Sequence, residues 1–253
     1  MKVGFIGTGE IAEALIRGIV GQGHHIWISN RNSERARKLS EVYSEVISGT
    51  NEKVILSSDI IFICLMSTVA SKALPKLNFR KGQQIISVMA HTTNEQLKDY
   101  CYPAENISIT IPLPFIAKGG CPLPVFPRSL ALEDLYGSNN PIIVLKNAAD
   151  IAPHFAISAT LSPIFSLFDV AAKWLSERTG NDLTSEVYVT HLFKGYLDFM
   201  PDEECERFQN ALESLSTEGG LNSTLKAFMN EKGTYEAFVD GLDAFRDRLK
   251  ISK

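Results

Sequence analysis

Gly7, Gly9 and Ala12 stand at the spacing G-x-G-x-x-A, and Ser29-Asn30-Arg31 follows one apolar segment later. The setting gives the spacing its meaning. Lys2-Val3-Gly4-Phe5-Ile6 is a short apolar run, and Ala14, Leu15, Gly18 and Ile19 come after the glycines at helical intervals. A strand, a glycine turn and a helix form the context in which this motif binds a dinucleotide. Gly7 permits the tight turn, Gly9 lets the backbone approach a pyrophosphate, and Ala12 lets helix and strand pack closely. The pyrophosphate is expected on the loop and helix start, at Thr8, Gly9, Glu10 and Ile11, where free N–H groups and the helix dipole favour an anion.

About 20 residues past the glycines an NAD-binding chain carries Asp or Glu for the ribose hydroxyls. This chain carries Ser29, Asn30 and Arg31 instead, with Arg35 and Arg37 further on. An arginine here suits the 2′-phosphate of NADP. The plain alternative, a solvated arginine beginning a helix, leaves the missing acid unexplained. NADP(H) is therefore the expected cofactor, with Ser29, Asn30 and Arg31 at its 2′-phosphate.

The elements that must position these residues alternate. His25 to Ile28 reads as a second strand, and Asn32 or Ser33 can cap a helix through Tyr43. Ser44 to Ile47 is a weak third strand, and Asn51 begins a helix ended by Ser57-Ser58-Asp59. Ile60 to Met66 is a strong strand, Val69 to Leu77 a helix, and Gln84 to Met89 a strand. Thr92 and Glu95 stand at capping-box spacing before a helix through Tyr100. Ile107 to Ile111 and Ile142 to Leu145 complete the strands. Such alternation means a parallel, doubly wound (Rossmann) sheet.

From Ala148 onward no convincing strand remains, only helical patterns broken at Gly180-Asn181, Pro201, Gly219-Gly220 and Lys232-Gly233. The expected division is 1–148, an NADP-binding Rossmann domain, and 149–253, an all-helical dimerisation and substrate domain. Ile157, Leu161, Ile164, Phe165, Phe168 and Ala172 lie on a helix apolar around most of its circumference. Such a helix is buried on several sides. In a unit of about a hundred residues that points to a second copy, a homodimer.

Composition bounds the function. The chain has 253 residues, 45% hydrophobic and 21% charged, with a net charge of −4. That is long enough for a sizeable core and two domains, and it gives no basic field for nucleic acid or a membrane surface. No apolar stretch is expected to approach the ~20 residues a spanning helix needs, the longest being Ile60 to Met66. The N-terminus reads as a strand and not as a signal peptide. Cys64, Cys101, Cys121 and Cys205 are scattered without C-x-x-C spacing, which argues against zinc or a disulfide framework. A reducing compartment, most simply the cytoplasm, is expected.

Proton carriers are few. Lys173 and Lys194 are the candidates in the helical half, each also readable as a surface lysine. His91 is expected at a strand end on the cofactor edge. His154 and His191 stand too far from other ligand types for a metal, and His24-His25 falls at the wrong end of the sheet. Gly219-Gly220-Leu221-Asn222 can present backbone N–H groups and an amide to a carboxylate at a helix start. The bland reading of that loop is an interhelix turn.

Gly4 to Ala14 followed by Ile28-Ser29-Asn30-Arg31 resembles pyrroline-5-carboxylate reductases, whose usual pattern is G-F-I-G-x-G-x-M-A-x-A and then S-N-R. The resemblance continues at Thr50-Asn51, Pro112, Ser162-Pro163-Ile164-Phe165 and Thr217 to Asn222, in family order along nearly the whole chain. It implies that Asn51 touches the adenosine side and that Leu65, Met66, Ser67 and Pro112 border the cofactor. It also implies that Gly219, Gly220, Leu221 and Asn222 bind substrate, with Asn222 and Thr217 as the catalytic pair of positions. The departures cluster at the substrate end. The family's V-K-P is Leu65-Met66-Ser67, its M-P-N-T-P is Ile111-Pro112-Leu113-Pro114-Phe115, and the second threonine after its glycine pair is Asn222.

Three functions follow from these residues. The first is NADPH-dependent reduction of a small cyclic imino acid, 1-pyrroline-5-carboxylate to proline. Such a reaction needs a well-placed hydride donor and no obligatory acid–base pair. The second is an NADP-linked oxidoreductase of another small imine or carbonyl acid. The third is a catalytically silent dinucleotide-binding sensor or scaffold.

Overall fold

The computed structural model describes residues 1–89, 92–201 and 205–251, without the side chain of Ser33. The first compact unit is built on Met1–Phe155 and the second is Ala156–Arg248. The division falls after Phe155, later than the loss of strand pattern suggests. Ile151 and Phe155 begin a helix but still pack on the core of the sheet.

The first unit alternates β1 (Lys2–Ile6), α1 (Glu10–Ile19), β2 (His25–Ser29), α2 (Ser33–Val42), β3 (Val46–Gly49), α3 (Asn51–Ser57), β4 (Ile60–Ile63), α4 (Ser67–Ala73), β5 (Gln84–Ser87), α5 (Asn94–Tyr100), β6 (Asn106–Thr110), β7 (Leu123–Phe126), α6 (Leu130–Tyr136) and β8 (Ile142–Val144). The strands form one sheet in the order β3-β2-β1-β4-β5-β6-β7-β8. All neighbours pair in parallel except β6 and β7. The fold class is thus the expected Rossmann sheet followed by helices.

Several local expectations shift. β4 ends at Ile63: the Cys64 N–H still donates to the Ile6 carbonyl at 2.8 Å, after which Leu65 and Met66 lead into α4 at Ser67. The capping box lies one residue later than its first match: α5 starts at Asn94, so Thr93 accepts the Gln96 N–H and the Gln96 side chain accepts the Thr93 N–H. The antiparallel β7 and the helix α6 had no sequence counterpart. Between β6 and β7 the chain holds a short 3-10 turn, Pro114–Lys118, and no crossover helix. A parallel return needs a longer connection, so the strand reverses.

Two apolar layers hold the sheet. On one face Phe5 and Phe62 stack at 4.9 Å, and Phe62 meets Tyr136 edge-on at 6.0 Å. The Tyr136 hydroxyl donates to the Leu15 carbonyl at 2.9 Å. A buried α6 residue therefore fixes α1, the helix that begins at the glycine loop. On the other face Val54, Ile55, Ile61, Ile63 and Ala70 pack α3 and α4 onto the strands. Each fully buried side chain of this size contributes about 1.5–3 kcal/mol.

The second unit is helical: α8 (Leu161–Thr179) follows the boundary helix α7 (Ile151–Ser158), then α9 (Asp182–Phe199), α10 (Arg207–Ser214), α11 (Leu221–Glu231) and α12 (Thr234–Asp243), with α13 (Arg246–Leu249) closing the series. α8 and α9 pack through Phe168 and Phe193, stacked at 4.3 Å. One composition reading is corrected here. The helical run Ala148–Thr179 contains an 18-residue window of mean hydropathy 1.6, long and apolar enough to cross a membrane by length and composition alone. Between Asp150 and Asp169 the chain carries no Asp, Glu, Lys or Arg. Serines, threonines and a turn at Ala159-Thr160 interrupt the run, which is why it does not read as one apolar block.

Candidate functional site

The strand order runs outward from β1 in one direction and from β4 in the other, so the topological switch lies between them. Ligands of open α/β sheets bind outside the carboxyl ends of the strands at that switch. The loops following β1 and β4 meet there. Gly7 adopts φ +97°, and a Cβ on it would stand 2.3 Å from the Cys64 carbonyl oxygen. Its N–H donates to the Ser29 hydroxyl at 2.8 Å, tying the loop to the end of β2.

Gly9 is the opposite case. It precedes α1 as the N-cap, offers no side-chain cap, and a Cβ on it would meet nothing within 4 Å. The helix start of α1 is thus without a side-chain cap and has open space beside Gly9, the arrangement an anion site requires. Thr8 is buried, and its hydroxyl has no partner among the described residues. Gly7, Thr8, Gly9, Arg31, Leu65 and Met66 line one cleft of about 670 Å³. An anionic dinucleotide fits this cradle on three counts: free N–H groups, the room at Gly9 and a cation at the rim.

Arg31 is that cation. Arg35 pairs with Glu13 at 3.3 Å and Arg37 with Glu41 at 2.9 Å, so both are engaged elsewhere. Glu34, which also borders the cleft, is held by Lys38 at 2.7 Å. Arg31 is exposed and has no ion pair among the described residues. Ser29 is only 1% exposed; its hydroxyl accepts the Gly7 N–H, which ties it to the loop and leaves its own O–H to donate. Asn30 is exposed, and its N–H donates to the Gly49 carbonyl at 2.9 Å. Replacing Arg31 with Ala is expected to weaken NADPH by one to two decades and leave NADH nearly unchanged. A charge-assisted contact contributes about 1.5–3 kcal/mol. Calorimetry with both cofactors checks this.

Asn51 opens α3, half-buried, and faces an adjoining cleft together with Arg31, Lys72 and Lys76. The two lysines went unnoticed in the sequence; the spacing of Thr68 and Lys72 by one helical turn was the available signal. Toward the other end, Ile11, Cys64, Val88 and Leu113 are half-buried on one apolar cluster. Pro112 is buried at the end of β6, Met66 is 71% exposed, and Ser67 is the first residue of α4. Desolvation raises the Cys64 thiol pKa, which disfavours the thiolate. His91 lies outside the described residues.

In the helical unit, Gly219 adopts φ +70° and Gly220 caps α11 without a side-chain bond. The Thr217 carbonyl accepts the Gly220 N–H at 2.9 Å and the Ser223 hydroxyl at 2.8 Å. The turn is thus fixed from within, while Thr217, Leu221 and Asn222 remain exposed. Lys173 is bound to Asp169 at 2.7 Å, and that hydrogen bond raises its pKa. Lys194 and His191 are exposed on α9, and the His154 ring pairs with the Asp150 carbonyl. Among the described residues no three His, Cys, Asp or Glu side chains gather as for a metal.

Residues 2–91 match the family model described as NADP oxidoreductase coenzyme F420-dependent. Pyrroline-5-carboxylate reductase 2 of Bacillus subtilis is 35% identical over 105 residues, 39% of this chain and 38% of that protein. The aligned part therefore spans well under half of the relative's length. In fold the likeness runs further. The structure of 1-pyrroline-5-carboxylate reductase from Streptococcus pyogenes superposes with a TM-score of 0.81 at 18% identity, over 99% of this chain and 98% of the other. Plasmodium falciparum pyrroline carboxylate reductase, solved with NADP bound, gives 0.81 at 16% identity over 99% and 97%. The family resemblance read in the sequence is therefore borne out as a likeness: this chain is similar to pyrroline-5-carboxylate reductases in sequence over about two fifths of its length and in fold over nearly all of it.

Proposed function

We propose that this protein is an NADPH-dependent reductase of a small cyclic imino acid, with 1-pyrroline-5-carboxylate to proline as the first candidate. The observation that carries the reading is the cleft at the β1/β4 switch, open at Gly9 and rimmed by an unpaired Arg31. The names of the relatives agree with it. When bound, NADPH supplies the hydride. Gly7 to Ile11 hold the pyrophosphate, Ser29, Asn30 and Arg31 the 2′-phosphate, and Asn51 the adenosine side. Leu65, Met66, Ser67 and Pro112 border the remainder. Asn222 and Thr217, with Gly219, Gly220 and Leu221, orient the carboxylate and imine of the substrate. A protonated imine carbon is already electrophilic, so positioning supplies most of the rate, and no strongly placed acid–base pair is required.

Consumption of NADPH with a panel of pyrroline and piperideine carboxylates tests this. Turnover of the five-membered acid supports the first candidate. Turnover of other imines or carbonyl acids alone supports a second reading, which the apolar Leu113 in the family's asparagine position favours. Silence across the panel with NADPH still bound would leave a dinucleotide-binding sensor or scaffold. The four cysteines are free, in keeping with a reducing compartment such as the cytoplasm.

We further propose that the helical unit forms a homodimer. On α8, Phe165 and Val170 are each 62% exposed and Trp174 is 57% exposed. Exposed apolar faces of this extent mark interaction surfaces. The protein is expected to scatter light as a dimer at micromolar concentration in detergent-free buffer. A monomer there, or solubility only with detergent, would refute the dimer, and the second outcome would favour a membrane for the Ala148–Thr179 run.

A further inference from the structure

We propose that Lys72 and Lys76 form a second basic wall of the adenosine end of the site and share the 2′-phosphate with Arg31. The inference rests on the NADPH reading above. A cleft of about 620 Å³ adjoins the glycine-loop cleft, and Arg31 and Val69 belong to both. Its far side is α4 and the 3-10 turn Leu74–Lys76, which bring Lys72 and Lys76 to its lining opposite Asn51.

Arg31, Lys72 and Lys76 are all exposed, and none has an ion pair among the described residues. The neighbouring cations Arg35, Arg37 and Lys38 are each paired to a glutamate. The cleft's carboxylate, Glu52, is turned to its own helix start, where its backbone N–H and the Thr50 hydroxyl bind it and lower its pKa. Three unpaired cations around one cleft repel one another, and a dianion between them relieves that repulsion.

The position selects which phosphate. The glycine loop and the N-terminus of α1, which suit the pyrophosphate, border the first cleft and not this one. Beyond Arg31 the dinucleotide has one phosphate left, the 2′-phosphate of the adenosine. Lysine suits this task as a point charge on a flexible stem, whereas a bidentate fork would demand fixed geometry.

Binding of 2′,5′-ADP and 5′-AMP to the full-length chain, by calorimetry, tests the proposal with Lys72→Ala/Lys76→Ala and with Lys98→Ala as a charge control. Each exposed charge contact is a factor of about three to five. The double variant is expected to lose about tenfold on 2′,5′-ADP, to keep 5′-AMP within about twofold, and to show the loss shrinking as salt is raised. Lys98→Ala should bind like the parent, and Lys72→Arg/Lys76→Arg should keep most of the affinity. A double variant that retains the parent's preference for 2′,5′-ADP overturns this inference alone. A parent that binds the two probes equally removes the NADPH assignment, and this inference with it.

Discussion

Gly9→Ala is expected to fold like the parent and lose tight dinucleotide binding, whereas Gly7→Ala is expected to lose stability. The two glycines lie two residues apart in one loop but meet different surroundings. At Gly7 the backbone has φ +97°, and a methyl group would press on the Cys64 carbonyl at 2.3 Å, a backbone neighbour that cannot rotate away. Positive φ and a backbone clash together cost about 3 kcal/mol or more. In a chain this long that lowers the melting temperature by about ten degrees. At Gly9 the backbone is ordinary extended chain, φ −80° and ψ −172°, and the added methyl meets no protein atom. It would occupy the approach to the first N–H groups of α1. Loss of two charge-assisted contacts weakens NADPH by at least about two decades. Thermal unfolding and calorimetry on both variants separate the effects. Unaltered NADPH binding by Gly9→Ala would show that this loop is not the pyrophosphate cradle.

The legibility of this site in the sequence follows the range of the forces involved. The glycine loop could be read because its requirement is local: a tight turn between a buried strand and a helix start permits few residue types. Ser29 was harder. Its proximity to Arg31 in sequence suggests a shared phosphate; the packing of β2 beside β1 gives it a task the sequence did not show, accepting the Gly7 N–H. Lys72 and Lys76 look like solvated charges along a helix face. They become cleft residues only because the chain crosses from β4 into α4 beside the loop of β1. β7 was hidden by Pro124 within Leu123-Pro124-Val125-Phe126, since proline lacks a ladder donor and argues against a strand. α8 was legible as an apolar helix. What covers it was not, because Phe165, Val170 and Trp174 stay exposed and this chain's own core does not enclose them.

Asn222→Ala is expected to lower kcat by about a hundredfold, the scale on which a small loss of positioning acts, while NADPH affinity stays within a few-fold. The side chain sits in the first turn of α11, exposed and without a hydrogen-bond partner among the described residues. Its removal therefore breaks no internal bond, and alanine is the better helix former, so the variant should melt like the parent. The surrounding turn is rigid: the Thr217 carbonyl holds the Gly220 N–H and the Ser223 hydroxyl, and Gly219 takes the left-handed conformation that closes it. A free amide on a fixed turn, beside uncapped helix N–H groups, is suited to orienting a small carboxylate or imine. A fall in kcat with unchanged NADPH binding reports an interaction made with the reacting partner and not with the cofactor. If Asn222→Ala turns over like the parent, Thr217 to Asn222 is only an interhelix turn. The catalytic assignment then falls, while the consequences expected at Gly9 and Arg31 stand on their own geometry.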